Sequence, residues 1–82
     1  MKESQRKLIW RADRLFTAAA ALNDLAVNDE SYAPQAYELE SQAHALVRAA
    51  GFPDKPTFEL SAWCEQVCAD YTAGKLKILP FE

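Results

Sequence analysis

The sequence predicts an all-α fold: a small antiparallel three-helix bundle with a long first helix and an extended C-terminal tail. Three observations predict it. Apolar residues recur at helical spacing in three separate segments, proline or glycine punctuates the boundaries between them, and the chain carries only 2 Gly in 82 residues with a hydrophobic fraction of 50%. A chain of this length makes one domain, residues 1–82, with a modest core and no composition typical of disorder.

The first helix is expected over residues 4–27, with Ser4 as N-cap and a stripe of Leu8, Ala12, Leu15, Ala19, Leu22 and Ala26, flanked by Ile9, Phe16 and Val27. Alanines at 18–21 give it high helix propensity and a thin face that a neighbour can approach closely. The polar cluster at 28–31 reads as a connector, and Pro34 suits the first turn of a second helix over 34–50. That helix presents Ala36, Leu39, Ala43, Leu46, Val47 and Ala50. Gly51 supplies a left-handed stop, Phe52 folds back on the last turn and Pro53 forbids continuation.

A second connector leads to Thr57, the expected N-cap of a third helix over 58–73 whose inner face carries Leu60, Trp63, Cys64, Val67 and Tyr71, ended by Gly74. Trp63 and Tyr71 are expected in the core. Residues 75–82 then alternate lysines with Leu76, Ile78 and Leu79 before Pro80 and Phe81, the pattern of an extended tail that docks on the bundle or on a partner. At about 1.5 Å per residue the first helix outruns the others by about 12 Å. If the second helix starts beside its end, the bare part is the N-terminal third, which holds Leu8, Ile9 and Trp10. A two-fold homodimer covering that third is the corresponding expectation.

Charge is segregated. Residues 2–14 hold five basic side chains against two acidic ones, a net +3, whereas residues 24–70 hold nine acidic against two basic, a net −7, within a total of −3. A basic stripe on an acidic body steers an acidic partner surface or pairs with the acidic part of a second copy. No apolar run reaches the length of about 18 residues that a membrane span requires, so no membrane partner is expected. The basic start followed by Leu15 to Leu22 has a faint secretory character, which Arg11, Asp13 and Arg14 interrupt. The two cysteines, Cys64 and Cys68, stand at i and i+4, where Cβ atoms lie about 5–6 Å apart. A disulfide wants about 3.5–4.5 Å, so reduced thiols and a cytoplasmic location are expected.

Few residues suggest chemistry. His44 is the single histidine, with Glu40 and Arg48 one turn to either side. Glu40 would orient it as a general base, but no nucleophile, glycine-rich turn or second acid is spaced to complete a site, and a boundary histidine in a surface charge row is the simpler reading. His44, Cys64 and Cys68 lack the ligand pairs of a structural zinc site. No catalytic residue, metal or cofactor is therefore assigned.

The residues that do suggest a function are at the start of the first helix. Arg6, Trp10 and Arg14 are four apart, which places an indole between two guanidinium groups and opposite the apolar stripe. Exposed tryptophan and arginine supply much of the binding energy at protein interfaces. Trp10 is the expected anchor, Arg6, Lys7, Arg11 and Arg14 set orientation and encounter rate, and Leu76, Ile78 and Phe81 form a second contact region. The expected partner is a protein with an acidic or apolar surface. Basic residues interleaved with an aromatic also suit a nucleic acid, the second candidate, against which the isoelectric point of ≈ 5.1 weighs. In size, acidity and helical architecture alone the chain resembles the accessory proteins by which phages and plasmids block or retune a host machine. That resemblance implies an adaptor or inhibitor without enzymatic activity.

Overall fold

The computed structural model describes residues 2–74. The tail, with Leu76, Ile78 and Phe81, lies outside the described residues. Three helices, α1 (Glu3–Ala26), α2 (Ala33–Ala49) and α3 (Thr57–Thr72), are joined by a single 3-10 turn at Glu30–Tyr32 and an extended connector, with no strand among the described residues.

The helix ends follow local chemistry, with two corrections. α1 begins at Glu3, not after a Ser4 cap: the Gln5 side chain accepts the backbone N–H of Lys2 at 3.0 Å and so occupies one of the amides that a helix start leaves free. The same Gln5 amide donates to the carbonyl of Ala50 at 3.0 Å, which ties the start of α1 to the end of α2. Thr57 is the first residue of α3 rather than its cap, because Pro56 stands in the cap position and the threonine hydroxyl is engaged elsewhere. Gly51 stops α2 as expected. At φ +91° it lets the Phe52 N–H reach back to the Val47 carbonyl at 3.3 Å, and the Phe52 ring is buried.

α1 is the central element, and both other helices run antiparallel to it. Asn23 meets Glu40 and Gln5 meets Ala50, so α2 descends as α1 rises. Arg6 meets Tyr71, while Phe16, Ala20 and Asn23 share a depression with Thr57 and Phe58, so α3 also descends along α1. The connector after Ala50 must therefore run back up the bundle. About 3.3 Å per residue over residues 51–56 gives it about 20 Å, enough for that return.

This path corrects the expectation of a bare N-terminal third. Both other helices reach it: the end of α2 meets Gln5, α3 runs past Arg6, Ile9 is buried and Leu8 packs against the core. The buried set of α1 is Ile9, Ala12, Phe16 and Ala19, a stripe rotated from the expected one because α1 has two neighbours rather than one. Val27, expected at the flank, is 83% exposed. Ile9, Ala12 and Phe16 form one cluster with Ala43, Val47 and Ala50 of α2, Phe52 of the connector, and Leu60, Cys64 and Val67 of α3. Each large aliphatic sealed in this way contributes about 1.5–3 kcal/mol. Of the alanines at 18–21, Ala19 is buried, and Ala12, Ala36 and Ala43 with it make the α1–α2 seam thin and dry.

Candidate functional site

Where α3 descends past the start of α1, the two helices do not close on each other. They leave a groove of ≈ 570 Å³ whose α1 wall is Arg6, Trp10, Asp13 and Arg14 and whose α3 wall includes Glu65, Cys68 and Tyr71. The helical repeat explains the α1 wall. Arg6, Trp10 and Arg14 are one turn apart on the edge of the helix that faces away from α2, and Asp13 lies beside them nearer to α3.

Trp10 is 51% exposed. The Arg14 guanidinium lies over its ring, 5.4 Å from the centroid. Arg6 bonds Glu3 in a paired contact, one arm of which is Nε to Oε2 at 3.1 Å, and its guanidinium also lies over the Tyr71 ring at 4.8 Å. The ion pair with Arg6 holds the Glu3 carboxyl below the usual range, and the same bond raises the arginine's own value. The groove is thus floored by apolar atoms of Ile9 and Val67 and edged by two exposed rings, each with a cation stacked on it.

Acidic groups sit inside the groove among these cations. Asp13 is half-buried, and burial, reinforced by the Glu65 carboxylate, pushes its carboxyl up, with Arg14 opposing. Cys68, at the groove wall, and Cys64, in the core beneath it, are free thiols. Burial pushes them up to about 11 and about 12, so neither is a ready thiolate nucleophile or metal ligand near neutral pH.

The structure divides the predicted contact set. Arg6, Trp10 and Arg14 come together at the groove. Arg11 faces the α2 side, in a depression with Leu15, Gln42, Ala45 and Leu46, and Lys7 is exposed on the helix between the two. Tyr71, expected in the core, is 43% exposed and belongs to the groove. Trp63, expected with it, packs its ring on Phe52 with centroids 5.3 Å apart, partly buried at the edge of the core.

A second cluster lies at the opposite end of α3. His44 bonds Asp54 Oδ1 through Nδ1 at 2.7 Å and Thr57 Oγ1 through Nε2 at 2.8 Å, and Arg48 donates to the other oxygen of Asp54 at 3.4 Å. The carboxylate that orients the imidazole is therefore Asp54, not Glu40, whose side chain instead accepts from Asn23 at 3.0 Å. The Asp54 carboxyl is held below its ordinary value, first by the bond from His44. The imidazole also packs edge-on against Phe16, with centroids 5.6 Å apart. This carboxylate–imidazole–hydroxyl chain draws its members from α2, the connector and α3, and it fixes the point where the returning connector enters α3. Nothing in the sequence spacing announces it, because Asp54 lies ten residues from His44 across a non-helical segment.

Among the described residues no three His, Cys, Asp or Glu side chains gather as a metal site, and no described helix is long and apolar enough to cross a membrane. Comparison of the chain with known protein families, with curated proteins and with solved structures gave no match, so the functional reading rests on the geometry of the groove.

Proposed function

We propose that this protein is a non-enzymatic interaction module, an adaptor or inhibitor that acts by binding a larger protein through the α1–α3 groove. The observation that carries the reading is the placement of Trp10. A half-exposed indole at the rim of an apolar groove, held under an arginine, offers a large contact area at little cost in side-chain entropy. Tyr71 supplies a second ring on the facing helix, and Arg6 and Arg14 give the rim its preference for an acidic surface.

A second copy of the chain is one such surface, since residues 24–70 are strongly acidic. A different protein with an acidic, apolar-centred patch is the reading we favour, because Ile9 is buried and Leu8 packs on the core within the bundle itself, which removes the need for a dimer to cover them. Nucleic acid is less suited to the groove, where Asp13 and Glu65 stand among the arginines and repel phosphates.

The test uses a photo-crosslinking amino acid at Arg14, beside the indole, in cells of the native host, followed by purification of whatever protein is captured and titration against wild type and Trp10→Ala. Weakening of about 30-fold, equivalent to about 2 kcal/mol, is expected. Unchanged affinity removes Trp10 as the anchor. A captured nucleic acid, or a steep loss of affinity with salt that Arg14→Ala flattens, replaces the protein reading with the nucleic-acid one.

A further inference from the structure

We propose that Thr57 is an activated hydroxyl and a modification site: its Oγ1 takes a short acyl group from an activated ester or thioester, once per chain. The site lies at the end of α3 remote from the groove, and the inference does not rest on the reading of the groove.

Of the chain's three threonines, one is bonded to the imidazole. Thr17 and Thr72 donate to backbone carbonyls one turn earlier in their own helices, at 3.0 and 2.9 Å, and a carbonyl takes no proton away. Thr57 Oγ1 is instead 2.8 Å from His44 Nε2, while His44 Nδ1 is 2.7 Å from Asp54 Oδ1. A carboxylate can only accept, so in the neutral imidazole Nδ1 carries the proton and Nε2 presents its lone pair to the hydroxyl. The hydroxyl thus donates to a base whose tautomer and orientation are fixed from behind, the arrangement that activates a hydroxyl for attack on a carbonyl carbon.

Two further features suit acyl transfer. Thr57 is the first residue of α3, where N–H groups have no carbonyl within the helix to bond, and this end of the helix favours the negative charge that develops on an attacked carbonyl oxygen. Thr57 and His44 also share, with Tyr37 and Ser41, a surface hollow of ≈ 270 Å³, room for a short acyl group. In the step itself Oγ1 forms the new bond to the donor's carbonyl carbon and Nε2 takes the hydroxyl proton. The bond to the leaving alcohol or thiol then breaks as Nε2 passes that proton to it. The products are the threonine ester and the free alcohol or thiol, with the imidazole unchanged. The methyl group on the threonine Cβ makes this a hindered ester of a secondary alcohol, slow to react with water. The acyl group therefore stays, and the chain is altered rather than turned over.

The experiment incubates the folded full-length chain with p-nitrophenyl acetate and locates the acetyl groups by peptide mass spectrometry, with lability to hydroxylamine separating esters from the amides formed at lysines. Acetylation of Thr57 is expected to be about 100-fold faster than that of Thr17 or Thr72, the scale of a general base. His44→Gln should bring Thr57 down to their level, and Thr57→Ser should keep the ester at that position. Thr57 acetylated no faster than the other two threonines, or an ester at Ser41 in its place, overturns the proposal. So does acetylation of Thr57 that His44→Gln leaves undiminished. Nitrophenol released in excess of the acetyl groups retained on the chain, above the rate without protein, overturns it as well, since the ester would then be an intermediate. The comparison among threonines is made within one folded chain and decides the matter even where His44→Gln does not fold.

Discussion

The two ends of α3 are attached to the bundle by different means. At its start, His44 bonds both Asp54 and Thr57, the imidazole packs on Phe16, and Leu60 one turn later is fully buried. At its end, the facing side chains are two aromatic rings and two arginines around an open groove, and the ring contacts are cation–π pairs worth about 0.5–1 kcal/mol at exposed sites. Directional bonds and a sealed aliphatic specify where α3 enters. At the other end Val67 still belongs to the core with Ile9, but the rings and arginines of the rim add little to folding, and an apolar groove left wet there suits the proposed contact region. Under the proposed function, a single helix of 16 residues carries at one end what holds the molecule together and at the other the face proposed for a partner.

Substitutions at the two ends should divide in the same way. The largest effect is expected for Leu60→Ala, which opens a cavity in the centre of the core and should lower the unfolding free energy by about 2–5 kcal/mol, measured by urea denaturation followed by circular dichroism. A loss under about 1 kcal/mol would mean that α3 is not seated by its entry end.

Next in size is His44→Ala, which leaves Asp54 and Thr57 without their shared partner. A loss of about 1–2 kcal/mol is expected, with faster hydrogen exchange in the first turn of α3 and unchanged exchange near Tyr71. Equal acceleration at both ends would erase the distinction drawn between them.

A smaller effect should appear in acid. The Asp54 carboxyl has a lowered value in the folded protein, so its bond to His44 contributes stability that is fully present above the ordinary aspartate range and is lost as pH falls through the lowered folded value. Asp54→Asn should flatten that part of the stability profile. Asp13 has the opposite sign, because its raised carboxyl disfavours the folded state once ionised. Asp13→Asn should raise stability at neutral pH relative to acid, and an unchanged profile in both variants would remove electrostatics from the contrast.

Much of the fold was legible from residues alone because helix formation here is governed by local signals. The 3.6-residue periodicity, Gly51 with Phe52 behind it, and Gly74 mark three helices to within a few residues of their observed ends. The route of α3 was less accessible. A six-residue connector is as consistent with a short hop as with a return along the bundle, and the return was chosen by tertiary contacts that no spacing encodes. From that one choice follow the rotated stripe of α1, the burial of Ile9, and the exposure of Tyr71, which shares an angular position with Val67 but lies where α1 is near its first turn. The half-exposure of Trp10 agrees with its angle from the apolar stripe, whereas its position at the edge of a groove beside α3 depends on the route of that helix. The carboxylates Asp13 and Glu65 were legible only as ordinary surface charge, since they become neighbours when α3 is laid against α1.

The central claim is that the indole near the start of α1 contributes to recognition and hardly to folding. Urea unfolding of Trp10→Ala beside wild type tests it most directly. The account predicts a change of about 1 kcal/mol or less, covering the lost stacking with Arg14 and the ring's partial contact with the groove. A loss of about 3 kcal/mol or more, the range of a tryptophan truncated in a core, would contradict it.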